Sequence, residues 1–294
     1  MALQSSISSL SQVTIMLFNQ RHQNLRNFKK IISKCKHTLV STIVFDARNF
    51  DLHDELITII EYAKDFHTIL LVNDYPFSVD FASKLFKAGL SEIYVTIYSS
   101  SPEVHNQISQ KDNFKFAINN IVSSVSAYLA THASIPLCLS NIDTACETID
   151  YLYGFGVRFF DFSVFIKNEP EKAFDEKLLE CLKKIKEHSS KYKDIYISFN
   201  SPGWINEMKL LSLGYDVPRC GACYTRITVT PNGDIYTCSS QVANHTILGN
   251  IIHDSWNKIC ANYSFNSIGA RTYADANSCP FLFKFEVCAC TEQR

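Results

Sequence analysis

Between residues 13 and 200 the chain alternates short apolar runs with longer amphipathic segments. The runs at 13–18, 39–45, 68–72, 93–98, 136–139, 157–162 and 195–199 are too short for helices and rich in β-branched and aromatic residues, so they read as strands. The segments at 24–37, 53–66, 78–88, 114–130, 144–153 and 175–188 have helical periodicity; in 53–66 it is carried by Leu56, Ile57, Ile60 and Ala63. Gly89, Gly154 and Gly156 fall at helix ends, where a left-handed cap is expected. A strand that returns after every helix, with near-continuous apolar character, implies parallel neighbours covered by helices. Right-handed crossovers then lead to a (β/α) barrel, open or closed, or to a doubly wound sheet.

Composition sets limits on this picture without altering it. At 294 residues and 46% hydrophobic, the chain can bury a large core. A net charge of -1 and a pI near 6.7 make nucleic acid and anionic membrane poor partners. The one cationic concentration that stands out is the end of the amphipathic segment at 183–193, which reads as a solvated face. Residues 1–11 lack a basic leader, and the apolar run at 13–18 is too short for a signal core or a membrane span, so a cytoplasmic, reducing location is expected. Eleven cysteines in that setting argue against a disulfide framework. Seven stand at or after Cys220, pointing to a metal or cluster domain; Cys35, Cys138, Cys146 and Cys181 read as packed thiols.

Cys220 and Cys223 are spaced to reach one ion from a single turn, and Cys238 supplies a third corner. Between them the alternations at 226–229 and 234–237 flank Pro231-Asn232-Gly233, a hairpin signal with glycine where a positive φ is wanted. The hairpin is expected to fold Cys238 back beside Cys223. A fourth ligand should come from Cys279, Cys288 or Cys290. Four thiolates suit tetrahedral zinc as well as iron-sulfur corners, and spacing alone does not choose between them.

The wider pattern runs from Cys220-x-x-Cys223 through Gly233 and Cys238 to Ile247-Leu248-Gly249-Asn250-Ile251 and a short helix at 254–260. It resembles the SPASM/twitch extension of radical S-adenosylmethionine (radical SAM) proteins. The resemblance implies an auxiliary [4Fe-4S] cluster held by Cys220, Cys223, Cys238 and Cys290, with Cys288 the substitute for the last. Cys279 either belongs to the same metal site or is buried. Leu282 stands where the family's tail has another cysteine and Cys290 comes two residues early, so one cluster is implied rather than two. The strand count then suits a partial (β/α)6 TIM-type barrel at 1–205, followed by a small Cys-rich α+β extension at 206–294. Residues 89–98 with Ser101-Pro102-Glu103-Val104-His105 are similar to the family's fourth strand and following loop, where His105 reads as a surface residue.

The family's cleavage chemistry needs three thiolates in a CxxxCxxC loop after the first strand. Here Gln23-Asn24-Leu25-Arg26-Asn27-Phe28-Lys29-Lys30 resembles that loop with Gln23, Asn27 and Lys30 in the cysteine positions. Where the family's acidic loop would hold the SAM ammonium, the chain has Asp46-Ala47-Arg48-Asn49, and Arg48 would repel it. Lys30 and Arg48 are candidates to pair with Asp46. The resemblance therefore implies a degenerate radical SAM protein with no catalytic residues and no need of SAM. Its expected partners are a peptide substrate or a radical SAM maturase in a system that modifies ribosomally made peptides. Two alternatives stay open. One is an enzyme that uses the cluster for electron transfer, or another chemistry at Asp46, Arg48, Asp74, His105 or Asp161; the other is a zinc-stabilised structural protein. Phe159, Phe160, Phe162 and Phe165, like Phe281, Phe283 and Phe285, read as core, and Trp204 and Trp256 as packing anchors.

Overall fold

The structure, a computed structural model, describes residues 10–18, 25–48, 50, 54–73, 75–165, 172–201, 204–218, 221–222, 225–239, 242 and 247–261. These form two compact units. The first holds the described residues up to Ile93, Ala127–Ala130, and those from Gly221 to Ala261; the second holds Tyr94–Ser126 and those from Thr131 to Pro218.

In the first unit β1 (Gln12–Met16), β2 (Thr42–Asp46) and β3 (His67–Val72) are parallel neighbours, with Gln12 opposite Thr42 and Thr42 opposite His67. Val13, Ile15, Ile43, Phe45 and Leu70, which the register puts on one face, are fully buried, whereas Ile69 and Leu71 on the other face are half-buried. Helices α1 (Leu25–Cys35) and α2 (Asp54–Tyr62) pack on one another and bury Phe28, Ile31, Ile32, Leu56 and Ile60 at helical spacing. α3 (Val79–Lys87) begins at Ser78, whose side chain accepts the Phe81 N–H. On the other side of β1 lies β8 (Arg226–Val229), parallel, with Gln12 opposite Arg226. β9 (Asp234–Tyr236) and β10 (Gly249–Asn250) continue the sheet antiparallel, giving the order β10-β9-β8-β1-β2-β3. The extension's hairpin is thus built onto the first strand of the chain.

The second unit carries β4 (Glu92–Thr96, from Tyr94 onward), β5 (Ala130–Leu137), β6 (Phe159–Val164) and β7 (Tyr196–Phe199) in that order, with β5-β6-β7 parallel. Its helices are α4 (Pro102–Ser109), α5 (Phe114–Ser126), α6 (Ala145–Gly154), α7 (Lys172–Ser189) and α8 (Glu207–Ser212). α9 (Trp256–Ala261) belongs to the first unit.

Three expectations need correction. α4 stands where a loop was expected: Ser101 caps it by accepting the Val104 N–H, and Pro102 occupies the first helical position, where its missing N–H costs nothing. β5 begins at Ala130 rather than 136, because α5 stops at Ser126 and Tyr128 turns the chain with φ 62°. Its first half alternates buried Thr131 and Ala133 with half-buried His132 and Ser134, a pattern weaker than an apolar run. Gly154 is the last residue of α6, and it is Gly156, at φ 95°, that takes the left-handed turn.

Candidate iron-sulfur hairpin and barrel mouth

The hairpin of the extension forms as its alternation requires. Val229 pairs with Ile235 and Thr228 with Tyr236, around a turn in which Gly233 takes φ 88°. A Cβ at Gly233 would lie 2.7–2.9 Å from Ile252 and Asn250 side-chain atoms, so only glycine fits. Continuing the register brings Cys238, which is buried, abreast of Arg226. Arg226 also bridges Ala222, and the Thr225 and Arg226 N–H groups donate to the Gly221 carbonyl at 2.8 and 3.0 Å. The backbone between Cys220 and Cys223, at Gly221 and Ala222, is thereby tied to Arg226, the residue abreast of Cys238. Cys220, Cys223, Cys279, Cys288 and Cys290 lie outside the described residues. Among the described residues no three histidines, cysteines or carboxylates form a metal-binding group.

Asn250 clips this end of the molecule together. Its Nδ2 donates to the Asn232 carbonyl and to Asp234 Oδ1, both at 2.9 Å, and its Oδ1 accepts the Ile252 and His253 N–H groups at 3.0 and 3.2 Å. The Asn250 N–H in turn donates to Asp254 Oδ2 at 2.9 Å. In the sequence Asn250 stood out only as part of a pattern; its work is to tie the hairpin turn to the approach of α9.

At two of the positions expected to replace the family's cluster loop, Asn27 donates from Nδ2 to the Pro231 carbonyl at 3.3 Å, and Lys30 is exposed on the outer face of α1. Gln23 lies outside the described residues. At the end of β2, Arg48 grips Asp46 with Nε 2.9 Å from Oδ1 and Nη2 2.7 Å from Oδ2. Asp46 is almost fully buried, which by itself would raise its pKa; the charge and hydrogen bonds of Arg48 outweigh that and hold the carboxyl below the usual range. The expected Arg48–Asp46 pair forms, while Lys30 makes no ion pair with Asp46.

The other candidates divide sharply. His105 is buried, contrary to its reading as a surface residue. Its Nδ1 accepts the Tyr98 N–H at 3.2 Å, so Nε2 carries the proton that Asn113 Oδ1 accepts at 3.1 Å, a neutral structural bridge. Asp74 lies outside the described residues. Asp161 sits mid-strand in β6, and its carboxylate meets His132 Nδ1 at 2.6 Å, Ser198 Oγ and, at 3.2 Å, Asn200 Nδ2. His132, which the sequence reading missed, stacks between Tyr94 at 4.2 Å and Phe159 at 4.6 Å, and Phe159 stacks on Tyr196 at 5.3 Å. These residues form a half-buried polar and aromatic face on β4–β7. The period-2 alternation of β5 was the signal that could have found it. Phe160, Phe162 and Phe165 are core as expected, whereas Phe159 belongs to this ladder.

Residues 220–290 match the SPASM family, described as an iron-sulfur cluster-binding domain. No curated protein matches the chain significantly. Among solved structures, Streptococcus suis SuiB bound to S-adenosylmethionine is 14% identical with a TM-score of 0.67, over 94% of this chain and 69% of that one. SuiB bound to precursor peptide SuiA gives 14% and 0.66, over 94% and 68%. Histidine-tagged anSMEcpe with bound AdoMet is 12% identical with a TM-score of 0.66, over 95% and 85%. The fold is that of the radical SAM enzymes with a SPASM extension. Identities this low establish the fold alone. The expected α/β class, a TIM-type partial barrel followed by a Cys-rich extension, is therefore correct. Among the described residues no helix is long and apolar enough to cross a membrane.

Proposed function

We propose that this chain is a radical SAM-fold protein that has lost SAM cleavage, keeps one [4Fe-4S] cluster in a cluster-binding portion at 206–294, and serves as an accessory in the modification of a ribosomally made peptide. The observations that carry the proposal are the sequence after β1 and the ion pair at the end of β2. Gln23, Asn27 and Lys30 offer no thiolate where three are needed, Asn27 is engaged with the hairpin turn, and the Asp46 carboxylate is neutralised by Arg48. An ammonium approaching Asp46 would have to displace a half-buried, doubly hydrogen-bonded guanidinium.

The donor set suits the cluster. Cys238 is buried at the end of the hairpin, the Gly221–Ala222 turn is tied to Arg226 beside it, and the remaining candidate ligands are all thiols. Cys220, Cys223 and Cys238 would hold three irons and Cys290 or Cys288 the fourth. When bound, such a cluster supplies either a structural clamp or a one-electron relay. Zinc is the alternative occupant of the same thiolates. The peptide context draws support from SuiB solved with precursor peptide SuiA.

Iron, sulfide and zinc analysis of anaerobically purified protein separates the occupants. About four irons and four sulfides per chain support the cluster, whereas one zinc in colourless protein refutes it. Relatives solved with S-adenosylmethionine make that ligand the first to titrate. Calorimetry is expected to register no binding.

A second reading draws on His132 and Asp161. A carboxylate that fixes one imidazole nitrogen by hydrogen bonding is an arrangement used for general base catalysis, and this pair lies on a half-buried face. Turnover abolished by His132→Gln would favour an enzyme of that kind.

A further inference from the structure

The outer face of α1 gathers cations that its sequence spacing conceals. Arg26, Lys29, Lys30, Ser33, Lys34 and His37 line a shallow, open depression of about 530 Å³. Tyr62 and Ile252 also line it. Arg26 and Lys30, and Lys30 and Lys34, are like-charged pairs four residues apart, which weaken a helix. Among the described residues, Lys29, Lys30 and Lys34 make no ion pair with a carboxylate. Lys34 donates only to the Asp254 backbone carbonyl, at 3.4 Å, and Lys29 lies over the Tyr62 ring at 5.5 Å. Two acids in the neighbourhood are engaged elsewhere, Asp254 with Lys258 and Asp65 with Lys36.

Several lysines on other solvated helices of the chain are compensated. On α7 Lys184 pairs with Glu180 and Lys183 with Glu187, and on α3 Lys84 pairs with Asp80. A face that keeps three mutually repelling lysines uncompensated beside a concave, partly apolar wall is the complement of an anionic partner.

We propose that this face is a docking groove for an acidic peptide segment, whose carboxylates would meet Lys29, Lys30 and Lys34 while an apolar side chain rests on Tyr62 and Ile252. From Arg26 to Lys34 the helical rise is about 12 Å, the length of about four extended residues. A nucleic acid duplex presents a charge about every 1.7 Å and calls for a longer cationic track than this face provides. The choice of a peptide rests on the accessory role proposed above, whereas the groove's preference for anions stands on the geometry alone.

Fluorescence anisotropy of a short labelled polyglutamate peptide against the full protein tests this, with a polyglutamine peptide and a single-stranded oligothymidine as controls. The expected result is binding of polyglutamate alone, weakened by roughly tenfold or more between low and moderate salt. Lys29→Glu, Lys30→Glu and Lys34→Glu together should abolish it, and arginine at the three positions should preserve it. Since these side chains are exposed or half-buried, circular dichroism of the glutamate variant is expected to match the parent; should it not, the corresponding glutamine variant reports in its place. Polyglutamate binding that ignores both variants, no binding at all, or preferential binding of oligothymidine would overturn the proposal. None of these outcomes depends on whether the protein cleaves SAM.

Discussion

Arg48 and Asp46, two residues apart at the end of β2, form a bidentate pair with both hydrogen bonds under 3 Å and side chains 16% and 6% exposed. The pair engages both oxygens of the carboxylate at the C-terminal end of β2.

Removing one partner should therefore cost far more than removing both. Arg48→Ala leaves a buried carboxylate uncompensated and is expected to destabilise the protein by about 3 kcal/mol. Asp46→Leu combined with Arg48→Met should recover most of that loss. Because the folded-state pKa of Asp46 is lowered, its stabilising contribution is complete above the unfolded value near 3.9 and is lost as pH falls through the lower folded value. Urea midpoints at neutral pH and at about pH 3 should show a steeper acid loss in the parent than in the double variant.

Asn250→Ala removes two donor bonds and two acceptor bonds that join the hairpin turn to the segment before α9. The expected cost is about 2 kcal/mol, since some of the released groups reach water. Hydrogen exchange should quicken across residues 232–254 and remain unchanged in β5–β7. Uniform quickening would show that the clip supports the whole chain instead.

The α/β alternation was legible because each buried strand is a run of apolar residues and each helix buries one stripe, as in Phe28, Ile31 and Ile32 of α1. What escaped notice had a local cause. α4 was hidden because Ser101-Pro102 reads equally as a turn and as a cap, and the polar alternation of β5 concealed His132. The cationic groove was missed because Arg26, Lys29, Lys30 and Lys34 form a face only once the helix is wound. The hairpin was readable down to Gly233, since glycine is needed where φ is 88°. Of the proposed cluster ligands, Cys238 alone lies among the described residues.

Burial pushes the thiols of Cys35 and Cys181 up to about 12. Both are packed, Cys35 in α1 and Cys181 in α7 with its sulfur directed to the Ile142 carbonyl. Iodoacetamide at mildly alkaline pH should leave both unmodified in the native protein and label both in urea, as mass spectrometry would reveal. Native labelling of either would mean that its helix opens readily.

Two ring stacks and the Asp161 carboxylate are among the contacts that hold His132, so its variants should rank by how many of these they keep. His132→Phe preserves both stacks, and Asp161 retains Ser198 and Asn200. His132→Ala loses both stacks, each worth about 0.5–1.5 kcal/mol. Thermal unfolding should therefore place the phenylalanine variant between the parent and the alanine variant. Equal loss in both would assign the stability to the Asp161 contact.

The central claim is that the rear of the molecule binds iron while the front no longer cleaves SAM. Incubating reduced, cluster-loaded protein anaerobically with SAM and quantifying 5′-deoxyadenosine tests it most directly. The account predicts no product above a protein-free control, from protein whose iron and sulfide persist and are lost in Cys238→Ser. Sustained formation of 5′-deoxyadenosine by the parent protein would contradict it.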